Sequence, residues 1–348
     1  MNKGYKTGLA YWFVHFLVEI VCFALIASRY PIEYAAITAF LYDALAFAPQ
    51  AFFGEFIQKF RRFDLASVAA GFMAVSVLIF EIPNLYVHIL AVVLLATGNA
   101  ILHEYGALDT VKVSDGKLAP SAIFVSGGSF GLVIGKFFYD FNLPTYSLLV
   151  LVGIIEVMMI ILRKRARKEE EITKDYPVFT ICRPQIPALV ILIAAFVVTL
   201  VRGYIGYAIP ISWCEKTFDF YVLYFLMGAG KGIGGILSDK LGAGPVGVVS
   251  TLLCIPFLVL GKDNMLISVF GIMMFSMTMA ITFGMALCSL EENPGLAFGV
   301  TTLALFLSTL PPMFYRPSID TACVLVVVLS VFCSIVLFAT LKMKKNTK

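Results

Sequence analysis

The sequence predicts an all-α membrane protein, with twelve transmembrane helices in two pseudo-symmetric six-helix bundles. Three observations carry that prediction. Hydrophobic residues make up 60% of the 348 residues and charged ones 14%, with a mean hydropathy of +0.93. Soluble domains do not reach that balance. The apolar residues gather into twelve stretches of about 20 residues, the length that crosses a bilayer as a helix. Finally, an apolar segment running into a short charged turn occurs twice, half a chain apart. The copies are Phe53-Gly-Glu-Phe-Ile-Gln-Lys-Phe-Arg-Arg62 and Gly235-Ile-Leu-Ser-Asp-Lys-Leu-Gly242. Superposing Gly54 on Gly235 also brings Gln58 onto Asp239 and Lys59 onto Lys240, and such an internal repeat in a membrane chain signals two related bundles.

The spans fall at about 8–28, 34–57, 64–81, 85–104, 119–139 and 143–163, then 187–209, 217–238, 245–261, 264–287, 294–314 and 320–341. Short turns such as Glu81-Ile-Pro-Asn84 make consecutive helices antiparallel neighbours. The longest break, from Arg163 to Pro184, is rich in charge. It divides the chain into a bundle over 1–163, a cytoplasmic linker over 164–186 and a second bundle over 187–348. Of the 26 Lys and Arg residues, nineteen lie on the side of the termini and the linker, four (Arg29, Lys216, Lys262, Arg316) on the other, and three within spans. Loops with excess Lys and Arg stay in the cytoplasm, so both termini are placed there, in a multi-pass protein of the cell (inner) membrane. The turns at Tyr30-Pro31, Pro83-Asn84 and Arg316-Pro317 then face outside.

The seven scattered cysteines suggest neither a disulfide framework nor a zinc site. The net charge of +4 resides in short loops as a topology signal, so no nucleic-acid partner is expected. The first apolar run is broken by Glu19 and lacks a small-x-small cleavage site, so it reads as a retained helix and not a signal peptide.

Gly235-Ile-Leu-Ser-Asp239-Lys240-Leu-Gly242 resembles the G-x-L-[AS]-D-[RK]-x-G signature of the major facilitator superfamily, found between helices 2 and 3 and again, degenerate, between helices 8 and 9. Here the fuller copy is the second. The first has Gln58 in place of the acid and lacks the second glycine. Gly98-Asn-Ala-Ile-Leu-His103-Glu104 and Ser126-Gly-Gly-Ser-Phe-Gly131 are similar to the end of helix 4 and the glycine-rich helix 5 of the fosmidomycin-resistance branch of drug exporters. The resemblance implies the major facilitator fold, a binding site near the bilayer midplane between the halves, and gating by Gly235, Asp239 and Lys240, with Gln58 and Lys59 as the counterpart.

Ionisable groups inside the hydrocarbon cost several kcal/mol unless paired or hydrated, so each is a functional candidate. Helix 1 presents His15, Glu19 and Cys22 on one face, at i, i+4 and i+7. Glu19 reads as a proton carrier with His15 as its relay, or else the two are a polar pair bracing helix 1. In helix 2, Asp43 joins the proton-coupling set, with Pro49-Gln50 loosening the helix one to two turns on. Asp43 could equally form an architectural ion pair with Lys136 or Arg202. In helix 4, Asn99 is a candidate for substrate hydrogen bonding, whereas His103-Glu104 reads as a surface cap before a polar Asp109–Lys117 loop. The glycine sets Gly127, Gly131, Gly135 and Gly228, Gly232, Gly235 read as close-packing surfaces. Lys136 has a local partner in Asp140 four residues on. Glu156 lies in helix 6, which the resemblance places at the periphery.

In the second half, Arg202, beside Tyr204, suits a carboxylate or phosphate, and the resemblance puts helix 7 at the cavity. Lys231 sits between Gly230 and Gly232, where close helix approach leaves little room for a lone ammonium. Together with Gln50 these complete the substrate-binding candidates. Helices 10 and 11 offer methionines and hydroxyls as an adaptable wall. One helix supplies too few metal ligands, and His88 and His103 lie at opposite ends of helix 4, so no metal or other cofactor is expected. No nucleotide loop is present, because no Ser or Thr follows Lys231. No paired carboxylates or histidine clusters gather at an interface, so the chain is not read as an enzyme. The expectation is a monomeric, proton-coupled secondary transporter of a small organic compound, anionic ones included, with efflux favoured. Its rivals are uptake of an organic anion and a non-transporting receptor or sensor.

Overall fold

The computed structural model describes residues 2–28, 32–60, 64–172 and 175–343. The basic residues Arg29, Arg61, Arg62, Lys174, Lys344, Lys345 and Lys348 used for orientation, and the Tyr30-Pro31 turn, lie outside the described residues. Within them, fifteen α-helices build the twelve expected crossings. In the first half these are α1 (Lys3–Ser28), α2 (Ile32–Phe47) continued by α3 (Gln50–Lys59), α4 (Leu65–Ile79), α5 (Leu85–Lys112), α6 (Ala119–Asp140) and α7 (Leu148–Ile172). The second half holds α8 (Ala188–Tyr207), α9 (Thr217–Leu241), α10 (Ala243–Leu260), α11 (Met265–Ser276) continued by α12 (Met279–Ser289), α13 (Pro294–Ser308) continued by α14 (Leu310–Phe314), and α15 (Ile319–Thr340). Ten described segments are long and apolar enough to cross a membrane, and α4 is a shorter apolar helix.

Local sequence explains where helices begin. Asp64 accepts from Ala66 N, Asn84 from Tyr86 N and Val87 N, Asn293 from Leu296 N and Ser318 from Thr321 N. Each supplies a side-chain oxygen to backbone donors that the first turn leaves unpaired. Where a span breaks, the freed groups are repaired nearby. Pro49 interrupts the second crossing, and Gln50 Nε2 donates to Ala46 O at 2.7 Å. The break between α11 and α12 has no proline, and the Phe275 carbonyl there accepts from Arg202 Nη2 at 2.6 Å.

The outer faces are apolar. On α15, Val324, Val328, Val331, Ile335 and Phe338 recur every three or four residues and are exposed, while Ser330, Cys333 and Ser334 are buried. This inverts the pattern of a soluble helix and gives lipid the apolar stripe. Inside, α6 lies against α1 at close range: a Cβ on Gly127 or Gly131 would sit 2.3 Å from Trp12 O or 2.5 Å from Phe16 O. Small residues at that face allow the contact, as expected from the glycine spacing.

Three helices extend well past their expected spans. α1 begins at Lys3, α5 continues to Lys112, and α7 runs to Ile172. Polar residues that resemble loop in the sequence are therefore helical, because Asp109 and Arg163 neutralise each other inside the first half. Arg163 Nη1 lies 2.9 Å from both carboxylate oxygens of Asp109, the guanidinium stacks 4.3 Å over Tyr105, and Tyr11 OH donates to the same carboxylate. The final part of the linker is stapled to the second half. Cys182 pairs with Leu341 as an isolated antiparallel bridge, Lys342 N donates to Ile181 O and Arg183 N to Thr340 O.

Candidate functional site

The polar centre of the first half is a pair of imidazoles. His15 on α1 and His103 on α5 are both buried, and their Nε2 atoms stand 2.7 Å apart. Each ring is pinned from behind: His15 Nδ1 lies 3.0 Å from Phe124 O and His103 Nδ1 3.0 Å from Asn99 O. A carbonyl can only accept, so both Nδ1 atoms carry hydrogen. The two Nε2 atoms then face each other as bare lone pairs unless one further proton lies between them. The 2.7 Å contact therefore fits a pair loaded with one shared proton, whose positive charge is balanced by Glu19. Glu19 Oε1 sits 3.7 Å from His15 Nε2 and 3.6 Å from His103 Nε2, and accepts from Asn99 Nδ2 at 3.2 Å.

These three side chains place their ligand atoms within 4.8 Å of one another, a spacing a metal ion could span. Two nitrogens on one tetrahedral ion stand about 3.3 Å apart for bonds of about 2.05 Å. The observed nitrogen separation is shorter and matches a hydrogen bond. His103 thus corrects the sequence reading twice over: it faces the core instead of the surface, and it joins His15 despite its place near the end of its span.

Around this pair, the other candidates divide. Asn99 has its amide committed to Glu19, to Cys22 Sγ at 3.5 Å and to Tyr42 OH, which makes it a positioning group for Glu19. Gln50 is fully buried in the helix break, bonded to Ala46 O, away from any open surface. Asp43 is partly buried. Among the described residues it has no ion-pair partner, so neither Lys136 nor Arg202 is its counter-ion. Lys136 instead pairs with Asp140 at 2.7 Å, as its spacing predicts.

Lys231 Nζ on α9 donates to Ser129 Oγ on α6 at 2.8 Å, a bond between the halves one residue from Gly128, which abuts His15. Arg202 is buried, donating to Phe275 O with its guanidinium 5.0 Å from the Phe275 ring. No carboxylate pairs with either cation among the described residues. Tyr204 is half-buried on the same helix as Arg202.

The two copies of the repeated turn do the same thing. Asp239, at the end of α9, accepts from Leu118 N at 2.7 Å and Ala119 N at 3.0 Å, capping the start of α6 in the opposite half. Gln58, near the end of α3, accepts from Gly295 N at 3.1 Å, capping the start of α13. A carboxylate at a helix N-terminus is favoured by the helix dipole, a neutral amide less so. Gly235 packs against Ala122 of α6, and Gly242, the last glycine of the signature, turns the chain with φ +99°. Lys240 and Lys59 are exposed. At the second junction the backbones themselves touch, since a Cβ on Gly54 would lie 2.6 Å from the carbonyl carbon of Gly295.

Sequence reasoning missed one further group. Glu104 is 0% exposed, and among the described residues neither carboxyl oxygen has a hydrogen-bond partner. It abuts Gly54 at the α3–α13 contact. Its position one residue after His103, on a helix that continues to Lys112, was the available signal.

No protein-family model matches the chain, and no curated protein matches it. Solved structures do. A structure described as the major facilitator superfamily transporter FucP in the outward conformation aligns with a TM-score of 0.63 at 12% identity, covering 96% of this chain and 97% of that one. A single-residue variant of the E. coli fucose:proton symporter FucP aligns with a TM-score of 0.65 at 12% identity over the same shares. At that identity the likeness establishes the fold: this is a multi-pass membrane protein with the major facilitator architecture.

Proposed function

We propose that the protein is a secondary transporter working by alternating access, in which the bundles 1–163 and 187–348 rock about a site between them. The observation that carries this reading is the His15–His103–Glu19 cluster. A buried pair that needs one proton to be a bond, with a carboxylate to balance it, is a loading point for a coupled proton. Lys231 bridges to α6 beside it, so cargo that displaces Ser129 from Lys231 would be felt at the ring pair. The fold neighbour named as a fucose:proton symporter supports a proton as the coupled ion. Buried Arg202 and half-buried Lys231, neither with a carboxylate partner among the described residues, favour a small organic anion as cargo. Efflux rests on the likeness of 98–104 and 126–131 to the fosmidomycin-resistance exporters, with the termini on the cytoplasmic side and the protein acting as a monomer.

The test is flux in proteoliposomes under an imposed pH gradient, with a panel of small organic anions. Wild type accumulates cargo against its gradient. Glu19→Gln keeps exchange of cargo across the membrane while losing accumulation. If a compound binds but no pH gradient moves it, the receptor or sensor reading replaces transport.

A further inference from the structure

We infer that Glu104 is a second proton-carrying group, one that locks the α3–α13 junction. It holds a proton while that junction is closed and gives it up to the linker side of the membrane when the halves part there. The inference goes beyond the ring pair and rests on different observations.

An ionised carboxylate removed from water needs a cation or several donors, and without them it takes up a proton instead. Among the described residues Glu104 has neither: both oxygens are without a hydrogen-bond partner and the residue has no exposed surface. Among the described residues, the charged groups of the helices packed on α5 are engaged elsewhere or exposed: Glu19 and His15 of α1 face the ring pair, Asp43 of α2 is partly buried with no ion-pair partner, and Lys136 of α6 pairs with Asp140. Helix α13 (Pro294–Ser308) holds no titratable residue, and α4 (Leu65–Ile79) holds none. On α3, Glu55 and Lys59 are exposed, and on α5 itself His103 is turned to His15 and Asp109 to Arg163.

What excludes water from Glu104 is the contact between the halves. A Cβ on Gly54 would lie 2.6 Å from Glu104 Oε2 and 2.6 Å from the carbonyl carbon of Gly295, so the carboxyl and the opposite half meet the same face of Gly54. Gln58 closes the same seam through Gly295 N, and Thr302 Oγ1 donates to Phe47 O further along it. Parting α3 from α13 hydrates the Gly54 face, and with it the carboxyl. Ionisation then opposes reclosure, because the charge would have to be buried again. Closure and proton occupancy of Glu104 are thereby linked.

Spin labels at Lys59→Cys and Glu292→Cys, in the full chain with its part-exposed cysteines replaced and held in lipid nanodiscs, report the width of this junction by electron–electron distance measurement. In wild type the closed-to-open ratio falls as pH rises, by up to about tenfold per pH unit, the limit for a single proton. Glu104→Gln and Glu104→Leu stay closed across the range, while His103→Gln keeps a pH-dependent junction. A wild-type ratio that ignores pH overturns the inference, as does either Glu104 variant opening in step with wild type. Using two variants guards against one that fails to fold. The measurement needs no cargo, so absent flux with an intact pH response counts against transport alone.

Discussion

Gly54 and Gly295, on opposite halves of the molecule, pack so closely that a Cβ on either would lie within 2.7 Å of the other's backbone. Any side chain there must push the halves apart. Gly54→Ala or Gly295→Ala should therefore open the linker end, increasing thiol-reagent access to a cysteine placed at Gln58 by at least several-fold. The fold should survive, with a loss of about 1–3 kcal/mol in thermal unfolding from overpacking.

The Asp239 cap should be sensitive to both charge and length. Asp239→Ala leaves Leu118 N and Ala119 N without their acceptor and should cost about 1–2 kcal/mol, whereas Asp239→Asn should recover roughly half. Gln58→Glu at the repeat-related cap should strengthen its junction. Unfolding temperatures measured in detergent, together with flux, would check both directions.

Asp109 and Arg163 are a buried pair, so breaking it from one side is harsher than removing it. Asp109→Ala should destabilise by about 3–5 kcal/mol by stranding the guanidinium, and Asp109→Leu with Arg163→Met should recover most of that loss. A double-mutant cycle on thermal stability would read the coupling, with flux expected to follow stability.

Asn99→Ala should leave the ring pair intact but free Glu19 to move. The expected signature is cargo exchange within about threefold of wild type, with pH-driven accumulation reduced roughly tenfold or more. Equal loss of both would mean that Asn99 touches cargo.

Much of this architecture was legible because it depends on local pattern. Hydropathy gave twelve crossings, Pro49 marked the break between α2 and α3, and the repeat that superposes Gln58 on Asp239 led to two helix caps across the divide. The i, i+4 spacing put His15 beside Glu19. The partner of that pair was hidden, because His103 reaches His15 only through the register of α5 against α1, which no local period encodes. Polar residues at helix ends misled for a related reason. Asp109, Glu104 and Arg163 look like solvated loop until α5 and α7 are known to continue past them. The break between α11 and α12 left no proline to announce it, and Arg202, marked for cargo, is bonded to the carbonyl beside it.

The connection between the halves sets how they can travel. Lys112 of α5 holds Asp175 O at 3.0 Å and lies 4.5 Å over Tyr176, and Gly116 abuts Val178 O. A few residues later, Ile181 to Arg183 are bonded to Thr340 and Lys342. Between them Phe179 O accepts from Cys288 Sγ at 3.1 Å, so the covalent leash is fastened at both shores and passes from one to the other between Val178 and Phe179. At about 3.5 Å per residue, so short a tether acts as a pivot: this corner can swing but cannot drift apart, and the widest excursion must come at the rim farthest from it.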